Sequence, residues 1–285
     1  MRARLAPAKI NLTLHVTGRR ADGFHELDSL VVFAAFGDEV ALLEGSPAGL
    51  TVTGPYAAGV PTGDGNLITR AARLIGAPDA GLRLEKRLPA SAGMGGGSSD
   101  AAAALHLLAE ARGLDAPDTA ALMSLGSDLP VCMAAPAPCR MRGRGERIDP
   151  LGPLPELGVL IVNPGVPLST PAVFAALAQR ANPAMPETLP HWTGPEAFCA
   201  WLSEMRNDLE APARQLVPEI GGVLTAIAAQ SGCLLARMTG SGATCFGLFA
   251  DVAALKAAEG ALATPGRFVV TTRILARGTP QTGSS

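Results

Sequence analysis

The residues best suited to chemistry form a glycine-rich run that leads into a predicted helix. Positions 89–100 read Pro-Ala-Ser-Ala-Gly-Met-Gly-Gly-Gly-Ser-Ser-Asp. Glycine tolerates positive φ angles and lets a ligand approach the backbone amides closely. Because an alanine-rich helix is expected to begin at the two serines, its unpaired amides and the positive end of its dipole would face the same hollow. The run therefore predicts a loop that binds a polyphosphate.

Two familiar glycine motifs do not fit this run. The P-loop of nucleotide-binding proteins ends in Gly-Lys-Ser/Thr, and no lysine follows these glycines. The dinucleotide-binding fingerprint needs a third glycine three positions after the second, and counting on from Gly95 or Gly97 reaches Ser98 or Asp100 instead. A flexible Ser/Gly linker is the remaining alternative. The position of the run, between a strand signal and the best-capped predicted helix, favours the phosphate loop.

The elements that must position this loop are a mixture of strands and helices. Residues 10–16 alternate apolar and polar side chains, which is typical of a half-buried strand, and the alternation places Lys9, Asn11 and Thr13 on one face. A glycine-bounded turn at residues 18–23 precedes the next strand. The predicted strands are 10–16, 24–36, 39–43, 82–86, 158–162, 234–238, 244–249 and 267–271. The predicted helices are 66–75, 98–112, 118–125, 171–179, 196–205, 218–230 and 252–262.

A proline-rich stretch at residues 150–155 is the best candidate domain boundary, because proline breaks both helices and strand ladders. Strands and helices on both sides of it predict an α+β protein of two domains, residues 1–152 and 153–285. The last residues, 278–285, are predicted to form a frayed tail.

The composition describes a folded protein and argues against several functional classes. Of the 285 residues, 48% are hydrophobic and 17% are charged, which is typical of a globular protein. A net charge of −2 predicts no binding to nucleic acid or to an anionic membrane surface. The N-terminal residues do not resemble a secretory signal, and no apolar run is long enough to span a bilayer. Five cysteines without a Cys-x-x-Cys pair predict free thiols, a cytoplasmic location and no zinc site.

Three sequence blocks resemble the motifs of the GHMP kinases, the superfamily that includes galactokinase, homoserine kinase and mevalonate kinase. They are residues 7–12 (Pro-Ala-Lys-Ile-Asn-Leu), residues 89–99 of the glycine run, and residues 239–243 (Thr-Gly-Ser-Gly-Ala). The blocks follow the order of the family and span nearly the whole chain. The resemblance implies a two-domain GHMP kinase fold, with a ribosomal protein S5 domain 2-like N-terminal domain and a ferredoxin-like C-terminal domain. It also implies ATP as co-substrate, accompanied by Mg²⁺.

Further blocks resemble one family of these kinases, the 4-diphosphocytidyl-2-C-methyl-D-erythritol kinases. Residues 18–27 are similar to the segment that this family places against the cytosine of its substrate. Residues 125–131 are similar to the block with its catalytic aspartate, and residues 164–174 to its second-domain substrate wall. The resemblance implies transfer of the ATP γ-phosphoryl group to the 2-hydroxyl of 4-diphosphocytidyl-2-C-methyl-D-erythritol, in the methylerythritol phosphate route to isoprenoid precursors. Phe24 departs from the tyrosine often found in the family.

The resemblance implies two catalytic residues and two sets of binding residues. Asp128 is the expected general base for the attacking hydroxyl, and Lys9 is its expected partner, which keeps the carboxylate ionised and steadies the transferred charge. The predicted ATP-binding residues are Asn66, Pro89, Ala90, Ser91, Ala92, Gly93, Met94, Gly95, Gly96, Gly97, Ser98 and Ser99. The predicted substrate-binding residues are Asn11, Phe24, His25, Phe174, Gly240, Ser241 and Gly242. The ligands of the metal ion are not predicted.

Several of these residues also have an ordinary structural explanation. Asp128 could cap a helix, and Lys9 could be a solvated lysine at the start of a strand. Asn66 could serve only as a helix cap, and residues 240–242 could form a plain hairpin turn. Asp100 is expected in the first turn of its helix, with its carboxylate turned away from the phosphates.

The aromatic residues, 4% of the chain, are scarce enough that those inside the matching blocks are informative. Phe24 and Phe174 are expected to sandwich the cytosine ring, with His25 supplying polar contacts to its edge. Packing in the hydrophobic core is the alternative role of each phenylalanine.

Other functions remain open at the level of sequence. A GHMP kinase for another small alcohol, such as a mevalonate derivative, would show no preference for a cytidine-bearing acceptor. A non-catalytic relative would bind ligand only, although the presence of both Lys9 and Asp128 argues against it. A dinucleotide-binding oxidoreductase is disfavoured by the glycine spacing. The expected partner is a small molecule with a cytidine diphosphate group, and the expected assembly is a monomer or a weak homodimer.

Overall fold

The structure, a computed structural model, describes residues 1–276, so the predicted tail at 278–285 lies outside the described residues. Two β-sheets and the helices packed on them make up this part of the chain. The first sheet contains β1 (Arg2–Asn11), β2 (His15–Arg19), β3 (His25–Leu42), β4 (Gly49–Thr53), β5 (Gly81–Glu85), β6 (Cys139–Gly143) and β7 (Arg147–Pro150). The second contains β8 (Gly158–Asn163), β9 (Cys233–Met238), β10 (Cys245–Phe249) and β11 (Phe268–Arg273). The helices are α1 (Leu67–Leu74), α2 (Gly96–Arg112), α3 (Thr119–Leu125), α4 (Leu129–Met133), α5 (Thr170–Ala176), α6 (Pro195–Glu204), α7 (Glu210–Leu216), α8 (Glu219–Ala228) and α9 (Val252–Leu262).

The long strand β3 organises the first sheet. It pairs antiparallel with β1, β2, β5 and β6, while β4 joins β5 in parallel and β7 joins β6 antiparallel. The sequence predicts a break at residues 37–38, and this prediction is wrong. A side chain at Gly37 would overlap the carbonyl oxygen of Ala6, close to the point where β1 bulges between Pro7 and Lys9. The glycine therefore permits a close approach of two strands, and β3 continues through it.

The first strand ends earlier than the sequence predicts. β1 stops at Asn11 and β2 begins at His15, so the predicted strand 10–16 is interrupted at residues 12–14, where the Thr13 side chain takes the place of the regular backbone ladder. Its Oγ1 accepts a hydrogen bond from the Leu30 N–H at 2.8 Å, which a continuing strand would satisfy with a backbone carbonyl. Lys9 and Asn11 nevertheless lie on the same face of β1, as the sequence predicts, and their side chains are hydrogen-bonded to each other. Both side chains are fully buried, where the alternation predicted a half-exposed strand.

Alternate side chains of β3 serve two different cores. Phe33 packs with the alanine-rich face of α2, whereas Val32 packs with Phe246 of the second sheet. The chain passes between the sheets at residues 151–157, which overlap the predicted proline-rich boundary. After β11 it returns to the first sheet, where the Leu275 N–H donates to the Phe33 carbonyl at 2.7 Å. A shared apolar core thus fixes one sheet against the other.

Helix α2 begins two residues before its predicted start. Gly95 is the residue before the first turn and adopts a left-handed conformation, with φ of 64°. The serines that were predicted to cap the helix lie inside its first turn instead. Ser99 Oγ donates to the carbonyl of Pro7 at 2.7 Å and so ties the helix to the bulge of β1. Since no side chain of the described residues caps this end, its amides are left for a ligand.

The other differences from prediction are local. α4, α7, β4, β6 and β7 have no counterpart among the predicted ranges; each has seven residues or fewer, which leaves little length in which a periodic pattern can be recognised. α5 ends at Ala176, three residues before its predicted end at 179. None of the helices in residues 1–276 has the length and apolar character that a membrane span requires.

Candidate active site

A cavity of about 860 Å³ lies between the two halves of the chain. Its wall combines the glycine run, the end of β1 and residues from 58–67 with residues 168–174 and 240–241 of the second half. A volume of this size suits a drug-sized ligand. The predicted site residues on the wall are Lys9, Asn11, Asn66, Pro89, Ala90, Ser91, Ala92, Gly93, Met94, Gly95, Gly96, Gly97, Ser98, Asp128, Phe174, Gly240 and Ser241. The predicted site residues that lie outside the described wall are Phe24, His25, Ser99 and Gly242.

The glycine run is pressed against the glycine turn at residues 240–242. A Cβ atom on Gly93 would lie 2.5 Å from the carbonyl oxygen of Gly242, and one on Gly240 would lie 2.5 Å from the carbonyl oxygen of Gly93. Both glycines also have positive φ angles, 75° and 56°. Thr244 Oγ1 donates to the Ala92 carbonyl at 2.5 Å, which fastens the two segments together. The turn from the second half therefore backs the loop, a contact that a plain hairpin turn would not make.

The start of α2 forms the floor of the cavity beside this loop. Gly95, Gly96, Gly97 and Ser98 all line the wall. The first amides of a helix have no partner within the helix, and the dipole gives this end a partial positive charge. Backbone amides that open into a cavity beside a glycine loop are suited to binding phosphate oxygens.

Lys9 and Asp128 form an ion pair at the wall. Lys9 Nζ lies 3.1 Å from Asp128 Oδ2 and donates to Asn11 Oδ1 at 3.0 Å. The Lys9 side chain is 4% exposed and that of Asp128 39% exposed, so the carboxylate is the member of the pair that reaches the open cavity. Asp128 precedes α4, yet its side chain makes no capping bond to the described helix. The contacts thus differ from both a capping aspartate and a solvated lysine.

The same pair touches the glycine loop. A Cβ atom on Gly95 would lie 3.0 Å from Lys9 Cε and 3.6 Å from Asp128 Oδ2. The Lys9 N–H also donates to the Met94 carbonyl at 2.9 Å. A phosphate held by the start of α2 would therefore lie beside one cation and one carboxylate. This arrangement can bind a polyphosphate and accept a proton next to its terminal group.

The far end of the cavity contains Phe174, and His25 stacks behind it. The ring centroids of His25 and Phe174 are 4.6 Å apart with an interplanar angle of 22°. Burial lowers the pKa of His25, and the nearby guanidinium groups of Arg19 and Arg180 lower it further, which favours the neutral imidazole. His25 Nε2 is buried without a hydrogen-bond partner in residues 1–276. This end thus offers an aromatic wall and one free polar atom close to it.

Phe24 is exposed and is not among the described residues that line the cavity. It is 48% exposed, and the Arg144 guanidinium carbon lies 3.7 Å from the centroid of its ring. The structure brings Phe174 and His25 together, whereas Phe24 is paired with a cation. The role of Phe24 in binding remains a prediction.

Asn66 makes the contacts of a helix cap and also faces the cavity. Its Oδ1 accepts from the Ile68 N–H at 2.9 Å, and its Nδ2 donates to the Pro61 carbonyl at 2.8 Å. The side-chain oxygen and nitrogen of Asn66 are therefore both hydrogen-bonded, and they hold residues 61–68 in position. Any contact with a nucleotide would be made from this fixed orientation.

Several residues of the cavity wall were not predicted as site residues from the sequence. Leu14 and Leu27 belong to the apolar cluster that contains Phe174, and Met141 also lines the cavity. Leu27 could have been found as the last residue of the block 18–27. Thr170 forms a 2.6 Å hydrogen bond with Ser241 across the cavity edge. Lys86, a lone lysine just before the glycine run, lines the wall beside the start of α2.

The donors at this wall fit a hydrated Mg²⁺ ion. Within the described residues, no group of three or more His, Cys, Asp or Glu side chains could hold a metal ion alone. Mg²⁺ in nucleotide sites takes one or two protein oxygens and completes its shell with phosphates and water. The Asp128 carboxylate and the Ser98 hydroxyl are oxygen donors on the wall beside the phosphate loop. They satisfy that requirement without a dedicated cage.

Comparison with known families covers both halves of the chain. The family model "GHMP kinases N terminal domain" matches residues 66–136, and "GHMP kinases C terminal" matches residues 194–267. The first match contains the glycine run and Asp128, and the second contains the turn at 240–242. The mixed helices and strands of both halves agree with this assignment.

Relatives of similar length share about half of the residues. A 4-diphosphocytidyl-2-C-methyl-D-erythritol kinase from Cereibacter sphaeroides is 54% identical over 273 residues, which cover 95% of this chain and 98% of the relative. The protein of the same name from Dinoroseobacter shibae is 56% identical over 262 residues, with coverage of 92% and 90%. A crystal structure of 4-(cytidine 5'-diphospho)-2C-methyl-D-erythritol kinase matches with a TM-score of 0.75 at 32% identity, covering 95% of this chain and 98% of that one. The resemblance seen in the sequence blocks is thereby confirmed, and the chain belongs to the 4-diphosphocytidyl-2-C-methyl-D-erythritol kinase family of the GHMP kinases.

Proposed function

We propose that this chain transfers the γ-phosphoryl group of ATP to the 2-hydroxyl of 4-diphosphocytidyl-2-C-methyl-D-erythritol, giving the 2-phosphate and ADP. This is a step of the methylerythritol phosphate route to isoprenoid precursors. The family to which the chain belongs supports the substrate and the reaction. The single observation that carries the proposal is the Lys9–Asp128 pair, which lies against a phosphate-binding loop inside one cavity.

The proposed mechanism uses positioning and charge, as is usual for phosphoryl transfer. The amides at the start of α2 hold the triphosphate, with its terminal group beside Lys9 and Asp128. The acceptor oxygen forms a bond to the γ-phosphorus while the bond from that phosphorus to the β–γ bridging oxygen breaks. The hydroxyl proton passes to Asp128, and the bond electrons leave with ADP. The Lys9 ammonium pairs with the Asp128 carboxylate and balances the charge of the transferred group.

When it is bound with ATP, Mg²⁺ would neutralise negative charge on the phosphates. Ser98 is the residue we propose to hold it, through its hydroxyl oxygen at the loop wall, since Asp128 is the proposed proton acceptor. Asn66 and the residues of the glycine run, 89–99, make up the rest of the proposed ATP site.

The acceptor is proposed to bind across the second half of the cavity. Phe174 with His25 behind it would form one wall for the cytosine, and Phe24 would cover the other face of the base. Asn11 and residues 240–242 would contact the erythritol and phosphate groups. The neutral state of His25 suits hydrogen bonding to an uncharged base edge.

Finer assignments belong to the same proposal. We propose domains at residues 1–152 and 153–285, the first S5 domain 2-like and the second ferredoxin-like, and the separation of the strands into two sheets supports this division. A cytoplasmic setting is supported by the five unpaired cysteines, all of which lie within the described residues. The net charge of −2 supports the proposal that the chain binds neither nucleic acid nor membrane. We propose a monomer or a weak homodimer as its assembly.

Identification of the product tests the proposal directly. The purified chain would be incubated with ATP, Mg²⁺ and the cytidyl acceptor, and the product examined by phosphorus NMR and mass spectrometry. We expect one new monoester phosphate on the acceptor and one ADP for each. An analogue that lacks the 2-hydroxyl is the matched control and should yield no product. Phosphate on a different hydroxyl, or no phosphorylated acceptor at all, would contradict the proposal.

A further inference from the structure

The glycine turn at residues 239–242 is hydrogen-bonded to a buried asparagine that lies outside the cavity. Asn207 Nδ2 donates to the Met238 carbonyl at 2.8 Å and to the Gly240 carbonyl at 2.9 Å. Both N–H bonds of its amide are therefore used on the backbone of the turn and of the residue before it. Asn207 is 7% exposed and is absent from the described wall of the cavity, whereas Gly240 lies on that wall.

The orientation of the Asn207 side chain is fixed by the backbone around it. Its Oδ1 accepts a hydrogen bond from the Leu209 N–H at 3.0 Å. On either side of Asn207, the Leu14 N–H donates to the Arg206 carbonyl at 2.9 Å, and the Asp208 N–H donates to the Leu14 carbonyl at 2.8 Å. Asn207 thus joins the first half of the chain, through Leu14, to the glycine turn of the second half.

The bond to the Gly240 carbonyl sets the direction of the next N–H group. The peptide bond between Gly240 and Ser241 is trans, and in a trans peptide the C=O and N–H bonds point in opposite directions. Because the carbonyl faces Asn207, the Ser241 N–H faces away from it, toward the side of the turn that lines the cavity. This N–H has no hydrogen-bond partner within residues 1–276, so it is available to a ligand.

The bonds from Asn207 select one of two orientations that this peptide could take. Gly240 has a φ angle of 56° and no Cβ atom, so rotation of the peptide that follows it meets no side-chain barrier. A peptide turned over would place the Gly240 carbonyl oxygen where the Ser241 N–H now lies. That oxygen carries a partial negative charge and would repel a phosphate, whereas the N–H attracts one.

We propose that Asn207 is a positioning residue for phosphate binding, which holds the Gly240–Ser241 peptide so that the Ser241 N–H donates to the diphosphate of the acceptor. The inference deepens the proposed function and rests on it, because the acceptor proposed there supplies the diphosphate. Asn207 touches neither the acceptor nor the reacting atoms in this account. It acts through one peptide group of the glycine turn.

The first test compares a ligand that has phosphates with one that has none. In Asn207→Ser the shorter side chain cannot reach the two carbonyls, but its hydroxyl can still accept from the Leu209 N–H. We expect this variant to bind cytidine diphosphate roughly tenfold more weakly than the wild type, measured by calorimetry, because a hydrogen bond to a charged group is lost. Cytidine should bind both chains equally. Unchanged affinity for cytidine diphosphate, or an equal loss for cytidine, would overturn the inference.

Asn182→Ser is the matched control for this comparison. Asn182 Nδ2 also donates to two backbone carbonyls, those of Val16 at 3.3 Å and Gln179 at 3.2 Å, but neither belongs to the glycine turn. We expect Asn182→Ser to bind both ligands as the wild type does. A tenfold loss of cytidine diphosphate affinity in this variant too would show that the effect is not specific to the turn, and would overturn the positioning role of Asn207.

The second test needs no substitution and therefore does not depend on whether the variants fold. Hydrogen exchange of the Ser241 N–H would be followed by NMR in the wild-type chain. Saturating cytidine diphosphate is expected to slow this exchange roughly tenfold, whereas cytidine should leave it unchanged. Exchange that stays the same when cytidine diphosphate is bound would overturn the inference. A wild-type chain that binds no cytidine diphosphate would contradict the proposed function and, with it, the acceptor on which the inference rests.

Discussion

Lys9 Nζ and Asp128 Oδ2 lie 3.1 Å apart, although one residue belongs to the first strand and the other precedes the short helix α4. Their separation is that of an ion pair, and a Cβ on the neighbouring Gly95 would contact both side chains. The pair is therefore held between the phosphate loop and the open cavity. The predictions below follow from this arrangement and from the contacts that support it.

The paired side chains are expected to be required for turnover. Asp128→Asn removes the proton acceptor, and Lys9→Ala removes the cation that balances the transferred charge, so each should lower kcat by roughly 10²–10⁴-fold. Steady-state ADP release measures the effect, and circular dichroism checks that each variant is folded. Near-normal turnover in a folded variant would remove that residue from the mechanism.

The left-handed glycine before α2 is expected to set the position of Lys9. Gly95→Ala introduces a Cβ only 3.0 Å from Lys9 Cε, and we expect it to reduce kcat at least about tenfold by displacing that side chain. Gly113→Ala, at the other end of α2, is the matched control because its φ is also 64° and no described atom lies within 4 Å of the added Cβ.

Both glycine variants should lose about 1 kcal/mol of stability from the left-handed backbone. Only Gly95→Ala should lose activity. Equal kcat values for the two variants would show that strain alone, and not contact with Lys9, determines the effect.

The aromatic residues of the acceptor site are expected to contribute unequally. Phe174 lines the cavity and stacks on His25, so Phe174→Ala should weaken cytidine diphosphate binding roughly tenfold. Phe24→Ala should have a smaller effect, because Phe24 does not line the described cavity and its ring is already in contact with the Arg144 guanidinium. Calorimetry with cytidine diphosphate measures both, and AMP-PNP affinity should stay unchanged as an internal control. Unchanged cytidine diphosphate affinity in either variant would refute a stacking role for that ring.

The buried ion pair between Arg140 of β6 and Asp28 of β3 is expected to matter for stability. Arg140 bonds Asp28 through two 2.8 Å hydrogen bonds and also donates to backbone carbonyls of residues 185–187. Removing one partner leaves a buried charge, so Asp28→Ala should cost about 3–5 kcal/mol in the free energy of unfolding.

The neighbouring pair of Arg142 and Asp149 provides the control for this measurement. It has the same 2.8 Å distance, but the Asp149 side chain is 53% exposed. Asp149→Ala should therefore cost less than about 1 kcal/mol. Losses of similar size in the two variants, measured by urea unfolding, would contradict the argument from burial.

Local patterns were sufficient to predict the loop and the phase of the first strand. The glycine run at 89–97 and the alternation of Lys9 with Asn11 are read directly from neighbouring residues, and the structure places both on one cavity wall. Both belong to sequence blocks that could be compared with a family. The prediction of a GHMP kinase was confirmed for the same reason.

What the sequence did not predict depends on contacts between distant segments. Nothing near Thr13 indicates that Leu30 will bond its hydroxyl, and nothing near Gly37 indicates the approach of Ala6. The pairing of Lys86 with Asp38 likewise requires two strands to be aligned first. Such contacts become visible only when the chain is folded.

Coupled ADP release with a panel of acceptors tests the central claim most directly. Wild-type chain and Asp128→Asn would each be assayed with ATP, Mg²⁺ and either 4-diphosphocytidyl-2-C-methyl-D-erythritol, mevalonate or homoserine. The account predicts rapid turnover of the cytidyl acceptor alone, lost in Asp128→Asn. Comparable turnover of mevalonate or homoserine, or turnover of the cytidyl acceptor that survives in Asp128→Asn, would contradict it.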